Sequence, residues 1–242
     1  MNNISPVVKN LLIINVIFFI AKFLLTDVNL DLLLAVYYFD SPLFRIWQPI
    51  SYMFMHGDMM HLFFNMFALY TFGTVLEQRW GSKRFIYFYL ITGLGALGLQ
   101  YMVQAFEVYQ ITGSVFNPGA VSVDWVRGMV SLNVDGLMDQ SSIDTLLGIY
   151  GGRMVGASGA IFGLLVAFGM LYPNVELMFM FIPVPIKAKY FVVGYVVIEL
   201  MLGFGKIQGD SVAHFAHLGG ALLGYILIKI WKDKDTFYTY YE

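Results

Sequence analysis

A serine flanked by small residues opens one of the apolar stretches of this sequence, in the octapeptide GASGAIFG at residues 156–163. The small neighbours leave the Ser158 hydroxyl open to a large substrate. If a helix begins there, its N-terminus adds positive potential and free backbone N–H groups, which favour an oxyanion. The pattern therefore fits a serine nucleophile. It also fits a packing face, because Gly159 and Gly163 have the spacing of helix-contact motifs in membranes.

Two histidines in a later apolar stretch are candidates for the base. The segment AHFAHLGG contains His214 and His217. Ionisable residues inside apolar segments are functional candidates, and an imidazole with a reference pKa of about 6.5 can accept and return a proton near neutrality. We predict that His217 is the base. His214 is better explained as a histidine hydrogen-bonded within the bundle, and that explanation stays open for His217 as well.

Glycines in the same two stretches could bring the serine and the histidine together. Gly220 and Gly224 repeat the spacing of Gly159 and Gly163. If these two faces meet, the two helix backbones approach closely, because glycine has no side chain to separate them. The histidine one turn away would then reach the serine hydroxyl.

A third polar pair occurs in the segment HGDMMHLFFN. His61 and Asn65 are four residues apart, so they share one helix face. Both side chains can donate hydrogen bonds, and two donors on one face suit a developing oxyanion. The alternative is an interhelical hydrogen-bonded pair, which is common in membranes. A metal site built from His56, Asp58 and His61 is disfavoured, because the spacing is not that of H-E-x-x-H.

The acidic residues offer no obvious third member for a triad. Asp210 precedes His217 by two helical turns, or ~10 Å along the axis. Glu199 lies inside another apolar stretch, where it is either hydrogen-bonded or faces a wet cavity. The sequence therefore predicts a Ser–His dyad without an acidic group to orient the base, so that packing or water must set its tautomer.

The composition places these residues in a membrane. Hydrophobic residues make up 59% of the 242 residues and charged residues 12%, whereas a globular domain has ~25% charged residues. The net charge of −2, without a basic cluster, argues against a nucleic-acid partner. Cysteine does not occur, which excludes disulfides and thiol catalysis.

Six apolar stretches reach or approach the ~20 residues that a helix needs to cross the hydrocarbon core. They lie at about 9–25, 60–77, 84–104, 157–172, 189–204 and 212–231. We predict an all-α membrane protein, a single domain over 1–242 with six transmembrane helices and long outside connections at 26–59 and 105–156. The second connection has a candidate short surface helix near 141–150. No cleavable signal peptide is expected, because no A-x-A-like site follows the first stretch.

The positive-inside bias predicts that both termini are cytoplasmic. The basic residues that support this orientation are Lys9, Arg79, Lys83, Arg84, Lys187, Lys189, Lys229, Lys232 and Lys234.

Three motifs in this order resemble the rhomboid family of intramembrane proteases. They are H-x-x-x-N at His61 and Asn65, G-x-S-G at Gly156, Ser158 and Gly159, and A-H-x-x-G at Ala216, His217 and Gly220. Each motif is weak alone, but their order on the second, fourth and sixth stretches is specific. The resemblance implies a dyad of Ser158 and His217. It also implies an oxyanion hole formed by the Ser158 backbone N–H with the His61 and Asn65 side chains, and Phe162 packed on the base.

The resemblance further implies a substrate gate over 189–211 and a first loop partly in the outer leaflet. One departure concerns this loop, where some members carry a Trp-Arg pair and this chain has Trp47-Gln48. That difference puts in doubt any loop contact that needs a guanidinium.

The predicted function is hydrolysis of peptide bonds in or near transmembrane segments of other membrane proteins, in a bacterial inner membrane. The protease needs no cofactor, no metal and no nucleic acid. One rival is a membrane chaperone of the same fold that binds transmembrane segments without cleaving them, and the four intact polar residues count against it. A second rival is a proton-coupled transporter, which predicts inverted repeats that the sequence does not have.

Overall fold

The computed structural model describes residues 4–124, 129–133, 138–179, 182–205 and 213–231, and the chain is mostly helical. The α-helices in these ranges are α1 (Pro6–Leu24), α2 (Leu30–Leu34), α3 (Gln48–Ser51), α4 (Met59–Ala68), α5 (Thr74–Trp80), α6 (Ser82–Thr112), α7 (Gln140–Gly151), α8 (Ser158–Leu171), α9 (Ala188–Gly205) and α10 (His214–Trp231). A 3₁₀ turn at Tyr52–Phe54 follows α3. A π-helical segment, Leu69–Gly73, joins α4 to α5 in one continuous helix.

Two short antiparallel hairpins lie between the helices, so the all-α prediction was wrong in this detail. In the first hairpin β1 (Val121–Asp124) pairs with β2 (Met129–Leu132), and in the second β3 (Glu176–Phe179) pairs with β4 (Ile182–Lys187). Both hairpins lie in connections outside the apolar stretches. There the chain is free to alternate polar and apolar residues, as in the Val-Ser-Val-Asp of β1.

Four of the described helices are long and apolar enough to cross a membrane, namely Pro6–Leu24, Met59–Trp80, Ser82–Thr112 and Ala188–Gly205. The helix α8 has 14 residues and so rises ~21 Å, less than the ~30 Å of a hydrocarbon core. The helix α10 has 18 residues and includes two histidines. The total of six spans stays a prediction, as does the orientation, for which Lys232 and Lys234 lie outside the described residues.

The helix expected at 84–104 begins at Ser82 and continues to Thr112. The expected end came from the thickness of a membrane, but the sequence 105–112 contains neither glycine nor proline to stop the helix. Gly113 ends it with a left-handed φ of 75°. The connection 105–156 therefore begins as helix. It also contains the first hairpin and α7, which occupies the place of the predicted short surface helix.

Hydrogen bonds join the end of the connection 105–156, just before Ser158, to the first loop, 26–59. The Tyr150 hydroxyl lies 2.9 Å from Asp40 Oδ2, and the Ser41 hydroxyl donates to the Tyr150 carbonyl at 2.6 Å. Val36 and Met154 exchange two backbone hydrogen bonds of 3.0 and 2.8 Å. The chain leading into α8 is thus held by the first loop, which limits the positions that Ser158 can take.

A buried amide organises the first loop at the position where the sequence analysis noted glutamine instead of arginine. Gln48 is fully buried, and its side-chain oxygen accepts the backbone N–H of Arg45 at 2.9 Å. Its side-chain nitrogen donates to the carbonyls of Leu43 and Leu32 at 3.2 and 3.4 Å. The glutamine therefore joins three parts of the loop through neutral hydrogen bonds.

The start of α1 is capped by a carboxylate about 70 residues away in sequence. Glu77 is 2% exposed, and its two oxygens accept the backbone N–H groups of Val7 and Val8 at 3.0 and 2.9 Å. The Ser82 hydroxyl donates to the same carboxylate at 2.6 Å. These amides belong to the first turn of a helix, which leaves them without partners inside it. Glu77 therefore fixes α1 against α5.

Replacing this carboxylate should destabilise the protein more than replacing an exposed one. In Glu77→Ala, two buried N–H groups lose their acceptors, which should lower the free energy of unfolding by about 1–3 kcal/mol. Thermal unfolding of the purified protein in detergent measures the change. The exposed Glu176, in β3, provides the control Glu176→Ala. An equal loss of Tm in the two variants would contradict the capping role.

Candidate functional site

Ser158 is the first residue of α8 and is half-buried. Two residues earlier, Gly156 has a φ of 125°, a conformation that side chains larger than glycine rarely adopt. Its N–H donates to the Tyr52 carbonyl at 2.9 Å, and the Tyr52 hydroxyl donates to the carbonyl of Gly93 at 2.7 Å. The turn before the serine is therefore fixed against two other elements. As the first helical residue, Ser158 has a backbone N–H without a partner inside its helix.

The imidazole of His217 lies directly beside this serine. Its Nε2 is 2.9 Å from Ser158 Oγ, a distance that fits a hydrogen bond from the hydroxyl to the ring nitrogen. The Phe162 ring stacks on the imidazole with 4.3 Å between centroids and 8° between planes. The His217 side chain is 13% exposed. The serine, the histidine and the predicted packing aromatic therefore form one cluster, in which the stack fixes the plane of the imidazole.

Contact between helix backbones brings the serine and the histidine together. A Cβ on Gly220 would overlap the backbone carbonyl of Gly159, and one on Gly224 would lie 2.8 Å from the Gly163 Cα. Gly159 and Gly163 themselves face α6, since a Cβ on Gly163 would come within 2.6 Å of the Thr92 side chain and one on Gly159 would overlap Ala96 Cβ. Gly220 and Gly224 therefore allow α8 to pack closely on α10, and Gly159 and Gly163 allow α6 to pack closely on α8.

His61 approaches the serine from α4. A Cβ on Gly156 would lie 2.9 Å from His61 Nε2 and 3.6 Å from Ser158 Oγ, so these two atoms border one small space. The helix begins at this point because Asp58 accepts the His61 backbone N–H at 2.9 Å. His61 Nδ1 accepts the backbone N–H of Gly57 at 3.4 Å. A neutral imidazole that accepts at Nδ1 carries its proton on Nε2, the atom that faces the space.

Asn65 lies one turn further along α4 and is 7% exposed. Its side-chain nitrogen donates to the carbonyl of His61 at 2.8 Å. An amide nitrogen has two N–H groups, so one of them is engaged within the helix and the other can serve a second acceptor.

A carboxylate whose partners the sequence analysis did not identify approaches His217. Glu199 Oε2 lies 2.6 Å from His214 Nδ1 and 3.0 Å from His217 Nδ1. The sequence analysis expected a dyad without an acidic group and left Glu199 either hydrogen-bonded or facing a wet cavity. The structure places its carboxylate beside both histidines. A buried carboxylate needs buried donors, and the two histidines on one face of α10 were the signal. The rejected candidate, Asp210, lies outside the described residues.

These three residues also form a set that could be examined as a metal site. The possible ligand atoms of Glu199, His214 and His217 lie within 4.8 Å of one another. Within the described ranges, this is the one group of three or more such residues close enough to hold a metal ion. The alternative set of His56, Asp58 and His61 does not converge in this way. Around zinc at ~2.0–2.1 Å, tetrahedral ligands are about 3.3 Å apart. The 2.6 Å between Glu199 and His214 is shorter and fits a shared proton better than two ligands of one ion.

His56 lies behind His61 and outside the spanning helices. It is 1% exposed, and its ring makes an edge contact with His61 at 5.1 Å. Burial, and secondarily the neighbouring His61 imidazole, lowers the pKa of His56 to about 3. The residue is therefore a neutral packing group at pH 7.

This buried histidine should make the stability of the protein depend on pH. The pKa in the unfolded chain is about 6.5, so between pH 3 and 6.5 the unfolded state binds more protons. Stability should fall on acidification through this window, by up to about 1.4 kcal/mol per pH unit. We expect wild type to lose more Tm between pH 7.5 and 5 than His56→Phe. Equal losses would show that His56 protonation does not contribute.

The helix contact can be tested by adding one methyl group. Gly220→Ala should push α10 away from α8, lower the free energy of unfolding by about 1–3 kcal/mol and slow the labelling of Ser158 by a fluorophosphonate. The matched control is Gly98→Ala in α6, where the added Cβ meets open space and alanine favours the helix. If Gly220→Ala behaves like Gly98→Ala, the close contact does not position the two side chains.

Comparison with known proteins connects this geometry to one family. The rhomboid domain model matches residues 43–233. The chain is 27% identical over 172 residues to yeast (Saccharomyces cerevisiae) rhomboid protein 1, mitochondrial, covering 71% of this chain and 38% of that protein. It is 28% identical over 127 residues to rhomboid protease GlpG of Klebsiella pneumoniae, covering 52% and 45%.

A plant protein, RHOMBOID-like protein 4 of Arabidopsis thaliana, is 28% identical over 181 residues, covering 75% of this chain and 33% of that protein. The chain spans less than half the length of each of these relatives. The family model covers most of the sequence, and the chain belongs to the rhomboid family.

Proposed function

We propose that this protein is an intramembrane serine endopeptidase in which Ser158 is the nucleophile and His217 the general base. The observation that carries the proposal is the 2.9 Å contact between Ser158 Oγ and His217 Nε2. The Phe162 stack supports it, because a ring held in one plane can repeatedly accept and return a proton along the same line. Membership of a family whose relatives include proteins named rhomboid protease adds independent support.

In the proposed reaction, Ser158 Oγ attacks the carbonyl carbon of the scissile peptide bond while His217 Nε2 takes its proton. The tetrahedral oxyanion binds the Ser158 backbone N–H, the His61 Nε2–H and the second N–H of Asn65. His217 then gives its proton to the leaving amine, and an acyl-enzyme remains. A water molecule attacks the ester, with His217 taking the water proton and returning it to Oγ.

The short length of α8 indicates where this chemistry occurs. A helix of 14 residues that ends near one face of the membrane starts its first turn below the opposite surface. Ser158 then lies within reach of water but beneath the headgroups. The substrates are transmembrane segments of other proteins, locally unwound near the outer leaflet, because peptide bonds inside a helix are shielded by their own hydrogen bonds. Glycine or proline near the cut eases this unwinding.

We propose a single rhomboid-like domain with six spans, cytoplasmic termini and a position in a bacterial inner membrane. The connection that contains β3 and β4 ends at Lys187, and Lys189 follows two residues later. Basic residues in a connection favour the cytoplasmic side of the membrane. The expected gate at 189–211 begins with α9, which is described as far as Gly205.

Cleavage of a fluorescent transmembrane reporter in liposomes tests the function. Ser158→Ala and His217→Ala should each reduce cleavage to background, and the double variant should be no worse, because the two residues act as a unit. The exposed Ser141 in α7 gives the control Ser141→Ala. Persistent cleavage by Ser158→Ala would end the protease proposal. Reporter binding without cleavage by wild type would instead support a chaperone.

A further inference from the structure

One buried carboxylate near the active site has no part in the reaction described above. Glu199 is 4% exposed, and the buried residues of α9 are Ala188, Val192 and Glu199. Most of the remaining helix surface is exposed. The glutamate therefore lies on the face of α9 that meets α8 and α10. An ionised carboxylate in such a place is costly unless donors compensate it.

Both compensating donors are histidines of α10, and both approach the same oxygen. His214 Nδ1 is 2.6 Å from Glu199 Oε2, and His217 Nδ1 is 3.0 Å from it. The shorter contact is a hydrogen bond. The longer contact, between His217 Nδ1 and Glu199 Oε2, does not have the angle of a hydrogen bond. Within the described part of the chain, His217 Nδ1 has no other hydrogen-bond partner. A rotation that aligned this N–H with the carboxylate would turn the 3.0 Å contact into a hydrogen bond.

We propose that Glu199 is a positioning residue that holds the proton of neutral His217 on Nδ1, so that Nε2 presents its lone pair to Ser158. The proposal rests on the proposed function, and it adds an acidic third member from α9 to the dyad. After Nε2 takes the serine proton, the imidazolium gains a carboxylate partner at Nδ1. This charge stabilisation is the role that the aspartate has in Ser-His-Asp triads.

The stacked aromatic cannot perform this task. Phe162 lies nearly parallel to the imidazole at 8°, which fixes the ring plane but gives either nitrogen no preference for the proton. A neutral imidazole has one N–H, and its location follows from the partner of each nitrogen. At His217 the hydroxyl of Ser158 faces Nε2 and the carboxylate faces Nδ1. A hydroxyl can donate or accept a hydrogen bond, whereas an ionised carboxylate can only accept. The proton of the neutral ring therefore belongs on Nδ1, which faces the carboxylate.

The other histidine keeps the carboxylate in place. His214 is 8% exposed, and it lies one turn before His217 on the same face of α10. Its shorter contact anchors Oε2, which lets the same oxygen serve His217. His214 thus acts through Glu199 rather than on the reacting atoms.

A purely structural brace between α9 and α10 is the competing explanation for these contacts. A brace changes thermal stability, but it leaves the reactivity of Ser158 unchanged once the protein is folded. Loosening such a brace could even admit substrate more easily and raise turnover. The positioning role therefore predicts a slower chemical step after loss of the carboxylate, whereas the brace predicts an unchanged or faster one.

The test compares Glu199→Gln and Glu199→Asp with wild type. Measurements are kcat and KM on the transmembrane reporter, the rate of Ser158 labelling by a small fluorophosphonate, and Tm. We expect Glu199→Gln to lower kcat and the labelling rate together by at least about 10-fold, with KM changed less than about 3-fold. Glu199→Asp keeps the charge and should recover part of the labelling rate. The control is Glu176→Gln, which removes an exposed carboxylate in β3, outside the expected gate.

An unchanged or faster labelling rate in folded Glu199→Gln would overturn the proposal in favour of the brace. If the variants do not fold, the tautomer of His217 in wild type decides the matter. Nitrogen-15 NMR at a pH where the ring is neutral should find the proton on Nδ1, with the resonance assigned by its loss in His217→Gln. A proton on Nε2 would overturn the proposal.

These outcomes are separable from failure of the proposed function. If wild type cleaves the reporter and Ser158→Ala does not, normal labelling of Glu199→Gln refutes only the role of Glu199. If wild type neither cleaves nor reacts, the protease proposal fails, and the tautomer measurement still tests the Glu199–His217 contact.

Discussion

The close approach of α10 to α8 is the constraint on which the rest of the site depends. At Gly220 the two backbones are so near that a single methyl group would overlap the carbonyl of Gly159. Because neither helix has a side chain at this contact, a histidine one turn away reaches a serine at the start of the other helix without long intervening groups. The van der Waals contact of bare backbones suits a membrane, where apolar side chains gain little from leaving lipid. The contact between Ser158 and His217 thus follows from glycines that have no reactive side chain of their own.

Around this contact, buried polar groups hold the elements in register by hydrogen bonds. Glu77 caps α1, Gln48 joins parts of the first loop, and Tyr52 links the turn before the serine to α6. Each group is costly to bury alone and becomes favourable only with its partner present. Such pairs therefore penalise alternative packings more than they add net stability. Glu199 with its two histidines belongs to the same class, and it lies beside the base.

The sequence was sufficient for what local spacing determines. The start of α8 at Ser158, the shared face of His61 and Asn65, and the two glycine pairs were all predictable from positions along single helices. The sequence also suggested the short helix α7, which was expected near 141–150 and extends over Gln140–Gly151. The end of α6 was predicted too early, because membrane thickness was taken as the limit of a helix whose residues 105–112 continue to favour it.

The Glu199–His217 contact could not be found in the same way. It depends on the rotation of α9 about its axis relative to α10, which no spacing within either helix defines. Asp210 drew attention because it is near His217 in sequence, whereas the group that approaches the ring comes from another helix. The glycine contacts show a similar limit. The sequence analysis considered a meeting of the two glycine faces, but the Cβ directions of Gly159 and Gly163 point to α6 instead.

The central claim is that Ser158 and His217 share a proton within the bilayer, and a distance measured in lipid tests it directly. In the fluorophosphonate adduct, solid-state NMR can measure the separation between phosphorus on Ser158 and nitrogen-15 in the histidine rings. The variant His61→Gln removes the other imidazole near the serine. We expect His217 Nε2 to lie within about 4 Å of the phosphorus, because the phosphorus is bonded to Oγ and Nε2 lies 2.9 Å from Oγ in the free protein. A separation beyond about 6 Å would contradict the account.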